Sequence, residues 1–147
     1  MEMIRKATEE DLCRIAEIQL SNFRLNFYPI FLDDEYYFKE LQVTKLMQEY
    51  LPLIDELYVY DDKAVKGFLH ILDQEIRKLY VEPVLQSQGI GAALLEYAVN
   101  TLKADHLWAL ELNPRAISFY ERHGFHLTGE RKPEEGTDKM LVKMIRS

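Results

Sequence analysis

The chain has 147 residues, of which 48% are hydrophobic and 29% charged, and 25 acidic against 18 basic residues leave a formal net charge of -7. That length fits one domain, residues 1–147, built on one core. The acidic balance argues against a broad nucleic-acid-binding face, and the single cysteine, Cys13, excludes an internal disulfide and any cysteine-based metal framework. Cys13 sits in an apolar helical pattern, which leads us to expect a buried free thiol. No run of 18 apolar residues is present, and "MEMIRKATEEDL" does not read as a signal peptide, so no membrane association and a cytoplasmic location are expected.

In chain order, Met3–Lys6 reads as a short strand. Thr8 with Asp11 three residues later forms a capping-box-like start to a helix that ends near Asn22 and buries Leu12, Ile15, Ala16 and Gln19. The stretch "NFRLNFYPIFLDDEYYF", 22–38, is rich in aromatic residues, and Pro29 is expected to hold Tyr28 extended. A second helical segment is expected from Asp34 to Tyr50, with Pro52 ending the region. "ELYVY" (56–60), "AVKGFLHIL" (64–72) and "EIRKLYV" (75–81) then read as an antiparallel meander. A helix over 89–102, a strand over 106–112, a helix over 113–123 capped by Asn113 with Pro114 in its first turn, and two last strands complete the chain. The expected class is α/β, a mixed and mostly antiparallel central sheet flanked by helices. Exposed strand edges suit either a monomer or a homodimer.

The informative stretch is "YVEPVLQSQGIGAALLEYA", 80–98, where a strand turns through two glycines into a helix. A tight structural turn is one reading. A dinucleotide site is another, but "GIGAAL" puts Leu94 where the third glycine of G-x-G-x-x-G belongs, and Val81 lies too far before Gly89. A phosphate cradle is the third. The first amides of a helix lack internal acceptors and carry the positive end of its dipole. Gly89 and Gly91 admit a ligand close to the backbone, and Gln86 and Ser87 offer donors.

"QSQGIG" (86–91) resembles the Q/R-x-x-G-x-G/A signature of the GCN5-related N-acetyltransferase family. "LYVEP" (79–83), "AALLEYA" (92–98), "NPRAISFYERHGF" (113–125) and the opening "IRKATEEDL" (4–12) resemble that family too. The resemblance implies the family fold and an acetyl-CoA-dependent N-acetyltransferase, with acetyl-CoA as co-substrate. It assigns the diphosphate cradle to Gln86, Ser87, Gln88, Gly89, Ile90, Gly91 and Ala92. It lays the pantetheine arm along Leu79, Tyr80 and Val81, with Asn113 and Tyr120 near the arm and its sulfur. A CoA-binding sensor that lacks acceptor chemistry is the alternative.

The implied reaction is direct attack by a neutral amine on the thioester, which needs placement, an oxyanion donor, a base and often an acid. Tyr120 is the expected acid, since a phenol stays protonated near neutral pH. Glu75 is the candidate base. Asp73 and Glu111 are further candidates on the acceptor side, and Phe27, Tyr28, Phe31 and Tyr36 are candidates for the acceptor pocket. The acceptor itself, a protein or peptide amine or a small amine, stays open. His70 alternates within a strand pattern and reads as structural or surface, His106, His123 and His126 form no ligand pattern, and no metal is expected.

Overall fold

The period-2 pattern of the middle of the chain produces strands β2 (Leu57–Asp61), β3 (Val65–Leu72) and β4 (Glu75–Val81). They pair antiparallel in succession, and β1 (Ile4–Lys6) is added at the edge. The computed structural model describes residues 3–146. Beyond β4 the chain forms helix α4 (Ile90–Asn100), strand β5 (His106–Leu110), helix α5 (Pro114–Arg122), strand β6 (Phe125–Pro133) and strand β7 (Met140–Arg146). One seven-stranded sheet results, in the order β1-β2-β3-β4-β5-β7-β6. Among the described residues its only parallel pairing is β4 with β5, so the sheet is mixed and mostly antiparallel, as expected.

Alternating side chains on the strands feed two cores. On one face Leu69, Ile76, Leu107 and Met144 pack under Ile90, Leu94, Leu95 and Ala98 of α4. On the other, Leu57, Val59 and Phe68 meet Leu12, Ile15 and Ile18 of helix α1 (Leu12–Asn22). The N-terminus of α1 is fixed by Asp11, whose carboxylate accepts the Thr8 N–H at 2.8 Å and a bidentate pair from Arg5 at 2.8 and 3.0 Å. Cys13 is exposed rather than buried. The buried stripe of α1 runs through residues 12, 15, 16, 18, 19 and 22, and position 13 falls off it together with exposed Glu17.

The aromatic segment differs most from expectation. Tyr28 is helical, with φ −53° and ψ −44°, not extended. A wide π turn over Phe23–Phe27 carries the chain out of α1, and Pro29 falls in the first turn of a short helix α2 (Tyr28–Phe31), where its missing N–H costs nothing. The expected helix over 34–50 is interrupted. A second π turn covers Tyr36–Glu40, Leu41 and Gln42 are extended, and helix α3 occupies Val43–Tyr50. Pro52 does not end the region but sits inside a 3₁₀ stretch, Leu51–Glu56. These turns fold Phe23, Phe27, Tyr28, Phe31 and Tyr36 around buried Tyr37, Leu41 and Leu46.

Candidate active site

The site begins where β4 leaves β5. Their ladder consists of Glu75 with His106 and Ile76 with Leu107, and nothing pairs beyond it. On the β3 side a bulge inserts Arg77, because Ile71 faces Ile76 while His70 faces Lys78. The extra residue reverses the alternation. Ile76, Leu79 and Val81 therefore face α4, whereas Tyr80 packs toward α1 and Lys78 lies over the Tyr50 ring at 4.9 Å. The Glu82 N–H bonds to Lys66 O at 2.9 Å. By the alternation of an antiparallel ladder, Leu79 and Val81 then turn their amides to the unpaired side.

A cavity of about 740 Å³ fills this opening, within the range of cofactor sites. Its wall includes Leu79, Tyr80 and Val81 from β4, Gln86, Ser87, Gly89, Gly91 and Ala92 from the bend, and Asn113 and Tyr120 from the second helical motif. Of the residues assigned to the cofactor, Gln88 and Ile90 do not line it. Gln88 points to solvent and the Ile90 side chain enters the core. The bend holds Ser87 at φ +69° and Gly89 at φ +86°. No side chain caps α4, and the Ala93 N–H is the first to bond back, to Gly89 O at 3.0 Å. The amides of Ile90, Gly91 and Ala92 are thus left for a ligand. No Asp or Glu lines the cavity, while Arg115 and Arg122 do, in a protein of net charge -7. The cavity wall is thus basic in its side chains and bears free backbone amides.

Tyr80 and Tyr120 approach each other across the opening. Burial, and for Tyr80 also the nearby Tyr120, raises both phenols well above their ordinary range, so both stay protonated. Neither hydroxyl has a hydrogen-bond partner among the described residues, and the Tyr120 ring is held edge-on by Phe119 and Phe125 at 5.2 and 5.8 Å. Asn113 caps α5 by accepting the Ala116 N–H at 3.3 Å, which fixes the helix that presents Tyr120.

Sequence reasoning missed Asn22. It is 2% exposed, and its Nδ2 donates to Ile18 O at 2.8 Å and to Val81 O at 2.9 Å. Its Oδ1 accepts from Asn26 and Gln86, both at 3.3 Å. One buried amide therefore ties α1 to the end of β4 and to the bend. The available signal was an asparagine placed on the apolar stripe of a helix. Glu134, in the β6–β7 loop, was also missed. Burial raises Tyr36, Tyr37 (to about 12) and Tyr80, and Glu134 adds a smaller effect to each, behind Glu49 and Glu40 at Tyr36, behind Tyr36 and Asp33 at Tyr37, and behind Tyr120 at Tyr80.

Other expected residues lie elsewhere. Glu75 stands about 13 Å along β4 from Leu79, at 4.0 Å from both Arg77 and His106, and does not line the cavity. Asp73 sits with Gln74 in the β3–β4 turn at that same closed end, with φ +51°. Glu111 lies past the end of β5 and holds exposed Arg131 through two bonds of 2.8 and 2.9 Å. None of these three carboxylates lines the cavity. Phe27, Tyr28, Phe31 and Tyr36 pack together outside the cavity, and Tyr28 donates to Asp34 at 2.6 Å. Phe23, 5.1 Å from Phe27 and 5.8 Å from Tyr80, joins that cluster to the opening. His70 is buried beside Glu56 at 2.8 Å. No helix among the described residues is long and apolar enough to cross a membrane.

Comparison with known proteins agrees with this geometry. Residues 54–127, half of the chain, match the model of the acetyltransferase (GNAT) domain. Peptidyl-lysine N-acetyltransferase YjaB of Salmonella typhimurium is 26% identical over 106 residues, covering 71% of this chain and 73% of that protein. Peptidyl-lysine N-acetyltransferase YiaC of Escherichia coli is 26% identical over 134 residues, covering 85% and 84%. The solution structure of apo YjaB from Escherichia coli shares the fold with a TM-score of 0.75 at 24% identity, over 97% of this chain and 95% of that one. PaiA N-acetyltransferase of Thermoplasma acidophilum in complex with coenzyme A does so with a TM-score of 0.66 at 22% identity, over 98% of each chain. The chain therefore belongs to the acetyltransferase (GNAT) family, and it is an acetyl-CoA-dependent N-acetyltransferase.

Proposed function

We propose that this enzyme transfers the acetyl group of acetyl-CoA directly to a primary amine, with a lysine side chain of a peptide as the preferred acceptor class. The observation that carries the reading is the carboxylate-free cavity in the β4/β5 opening, lined both by the residues of an uncapped helix start and by Tyr120. The bend residues take the diphosphate, the pantetheine arm lies along Leu79–Val81, and the Leu79 or Val81 amide steadies the oxyanion. The amine nitrogen attacks the thioester carbonyl, the tetrahedral intermediate expels the thiolate, and Tyr120 supplies the proton that makes it a thiol.

The acceptor side carries the opposite charge. Glu49 and Glu134 have no ion-pair partner among the described residues, and both bear on Tyr36. Such a mouth favours a cationic amine, and a carboxylate there helps remove the proton. That removal costs about 4.6 kcal/mol for a lysine at pH 7. The name of the relatives, peptidyl-lysine N-acetyltransferase, supports the same acceptor class. The aromatic cluster of Phe27, Tyr28, Phe31 and Tyr36 backs this mouth in the proposal. The test is product mass spectrometry after incubation with acetyl-CoA and a mixed library of lysine peptides, amino-terminal amines and polyamines. Acetylated lysine peptides are expected, and Glu134→Gln should lower their kcat/KM about tenfold or more while Glu75→Gln has little effect. Tight acetyl-CoA binding without transfer to any amine would overturn the reading.

A further inference from the structure

Asn22 stands where the cofactor opening meets the aromatic segment. In an antiparallel strand the N–H and C=O of one residue point the same way, so the Val81 carbonyl faces the unpaired side of β4 together with its amide. Asn22 Nδ2 takes that carbonyl at 2.9 Å, while the Glu82 N–H is fixed on Lys66 O at 2.9 Å. The peptide plane after Val81 is therefore held from both sides. With Ile18 O, Asn26 and Gln86 as its other partners, the Asn22 carboxamide uses both of its donors and both acceptor positions, in a side chain 2% exposed. A buried polar group satisfied in full makes a rigid joint. Beyond it the chain leaves α1 through the π turn Phe23–Phe27, and this turn grips the second one. Arg24 Nε donates to Tyr37 O at 3.0 Å, and its guanidinium lies 5.5 Å from the Phe38 ring centroid. The Tyr28 ring meets Tyr37 and Phe38 at 5.8 and 4.9 Å. Such turns depart from the α ladder and recur at functional sites. No residue between Asn26 and Leu79 lines the cavity, so a cofactor reaches residues 28–41 by relay rather than by touch.

We propose that Asn22 is a positioning residue that couples the two substrate sites, an inference that rests on the acetyl-CoA reading and the acceptor side assigned above. An occupied bend holds Gln86 and Val81 in place, and the Asn22 carboxamide passes that order through the paired π turns to the acceptor wall. Such coupling is reciprocal, so the acceptor and the cofactor each strengthen the binding of the other. The test is hydrogen–deuterium exchange of the whole protein, read by mass spectrometry without CoA and at saturating CoA. In wild type, CoA is expected to slow exchange at residues 86–92, and by about fivefold or more at residues 28–41. Asn22→Leu removes every side-chain bond at similar volume. It should keep the protection at 86–92 and lose it at 28–41. Fast exchange throughout α4 marks a misfolded variant. In that event Gln86→Ala, at a half-buried position, cuts the link on the bend side alone and should lose the same protection. In turnover with a lysine peptide, Asn22→Leu should raise the peptide KM about fivefold and hold kcat within about twofold, whereas a merely structural loss lowers kcat and leaves KM unchanged. Three results overturn the coupling and leave the acetyl-transfer reading standing: wild-type protection confined to 86–92, protection at 28–41 that survives the folded variant, or a kcat loss at constant KM. Absence of protection at 86–92 as well overturns the two together.

Discussion

Tyr120 shows how much a single atom can be asked to do. Its ring is an ordinary member of the α5 packing, set against Phe119 and Phe125, while the residue lines the cavity and its hydroxyl has no hydrogen-bond partner among the described residues. Tyr120→Phe removes the oxygen and leaves those ring contacts in place. The expected result is an acetyl-CoA affinity within about twofold of wild type and a kcat lower by roughly 10²-fold, the usual weight of a positioned acid. Stopped assays alongside equilibrium binding check both halves. Unchanged kcat would remove Tyr120 as the acid. Its place in the cavity wall beside Asn113 was legible in the sequence because the motif fixes both its identity and its spacing from Asn113. Asn22 was not, since nothing local announces that a helix-end amide reaches a carbonyl 59 residues away. Arg122 was equally silent, because a basic residue on a helix reads as solvated surface until the cavity it lines is seen.

Two elements meet tightly where α4 crosses β3. A Cβ built on Gly67 would lie 3.0 Å from the Tyr80 backbone oxygen, 3.0 Å from Leu94 Cδ1 and 3.3 Å from Ile90 Cγ2. The two side chains can shift, but the carbonyl belongs to the strand that forms the cleft. Gly67→Ala should therefore cost about 1–3 kcal/mol of stability, as overpacking does, and also weaken CoA binding, because the start of α4 moves with Ile90. Urea unfolding and a CoA titration on the same sample measure the two effects. A destabilised variant with wild-type CoA affinity would separate helix seating from the cradle. The order of strands and helices was readable from hydrophobic period and caps. The Arg77 bulge was not, for a period-2 pattern assumes the register that a bulge interrupts. The π turns at 23–27 and 36–40 escaped for a similar reason: they widen the helical period, and the aromatic residues they carry suit a core equally well at several registers.

At the scale of the molecule, charge is divided across Tyr80, with arginines and bare amides toward α5 and unpaired carboxylates toward α3 and the β6–β7 loop. Stability has its own pH dependence, centred on His70. Burial lowers its pKa below 6.5, Lys78 adds to that, and Glu56 opposes it. The unfolded chain therefore takes up a proton that the folded one resists. Stability falls as pH drops below about 6.5, until the folded imidazole itself protonates. Asp11 acts in a separate window, because Arg5 holds its carboxyl below 3.8 and its contribution is lost only at lower pH. Melting temperatures between pH 7 and pH 5 should decline in wild type and decline less in His70→Gln, and parallel curves would exclude His70 as the source. The truncated ladder between β4 and β5 has a mechanical consequence. Among the described residues, two ladder pairs and the Asp105 N–H on Gln74 O at 2.9 Å form the backbone seam between the four-stranded and three-stranded parts of the sheet. In the proposed complex a co-substrate threaded above that seam would act as a missing rung, so the loaded enzyme would be the stiffer one, and each turnover would unfasten the clasp that product release has to open.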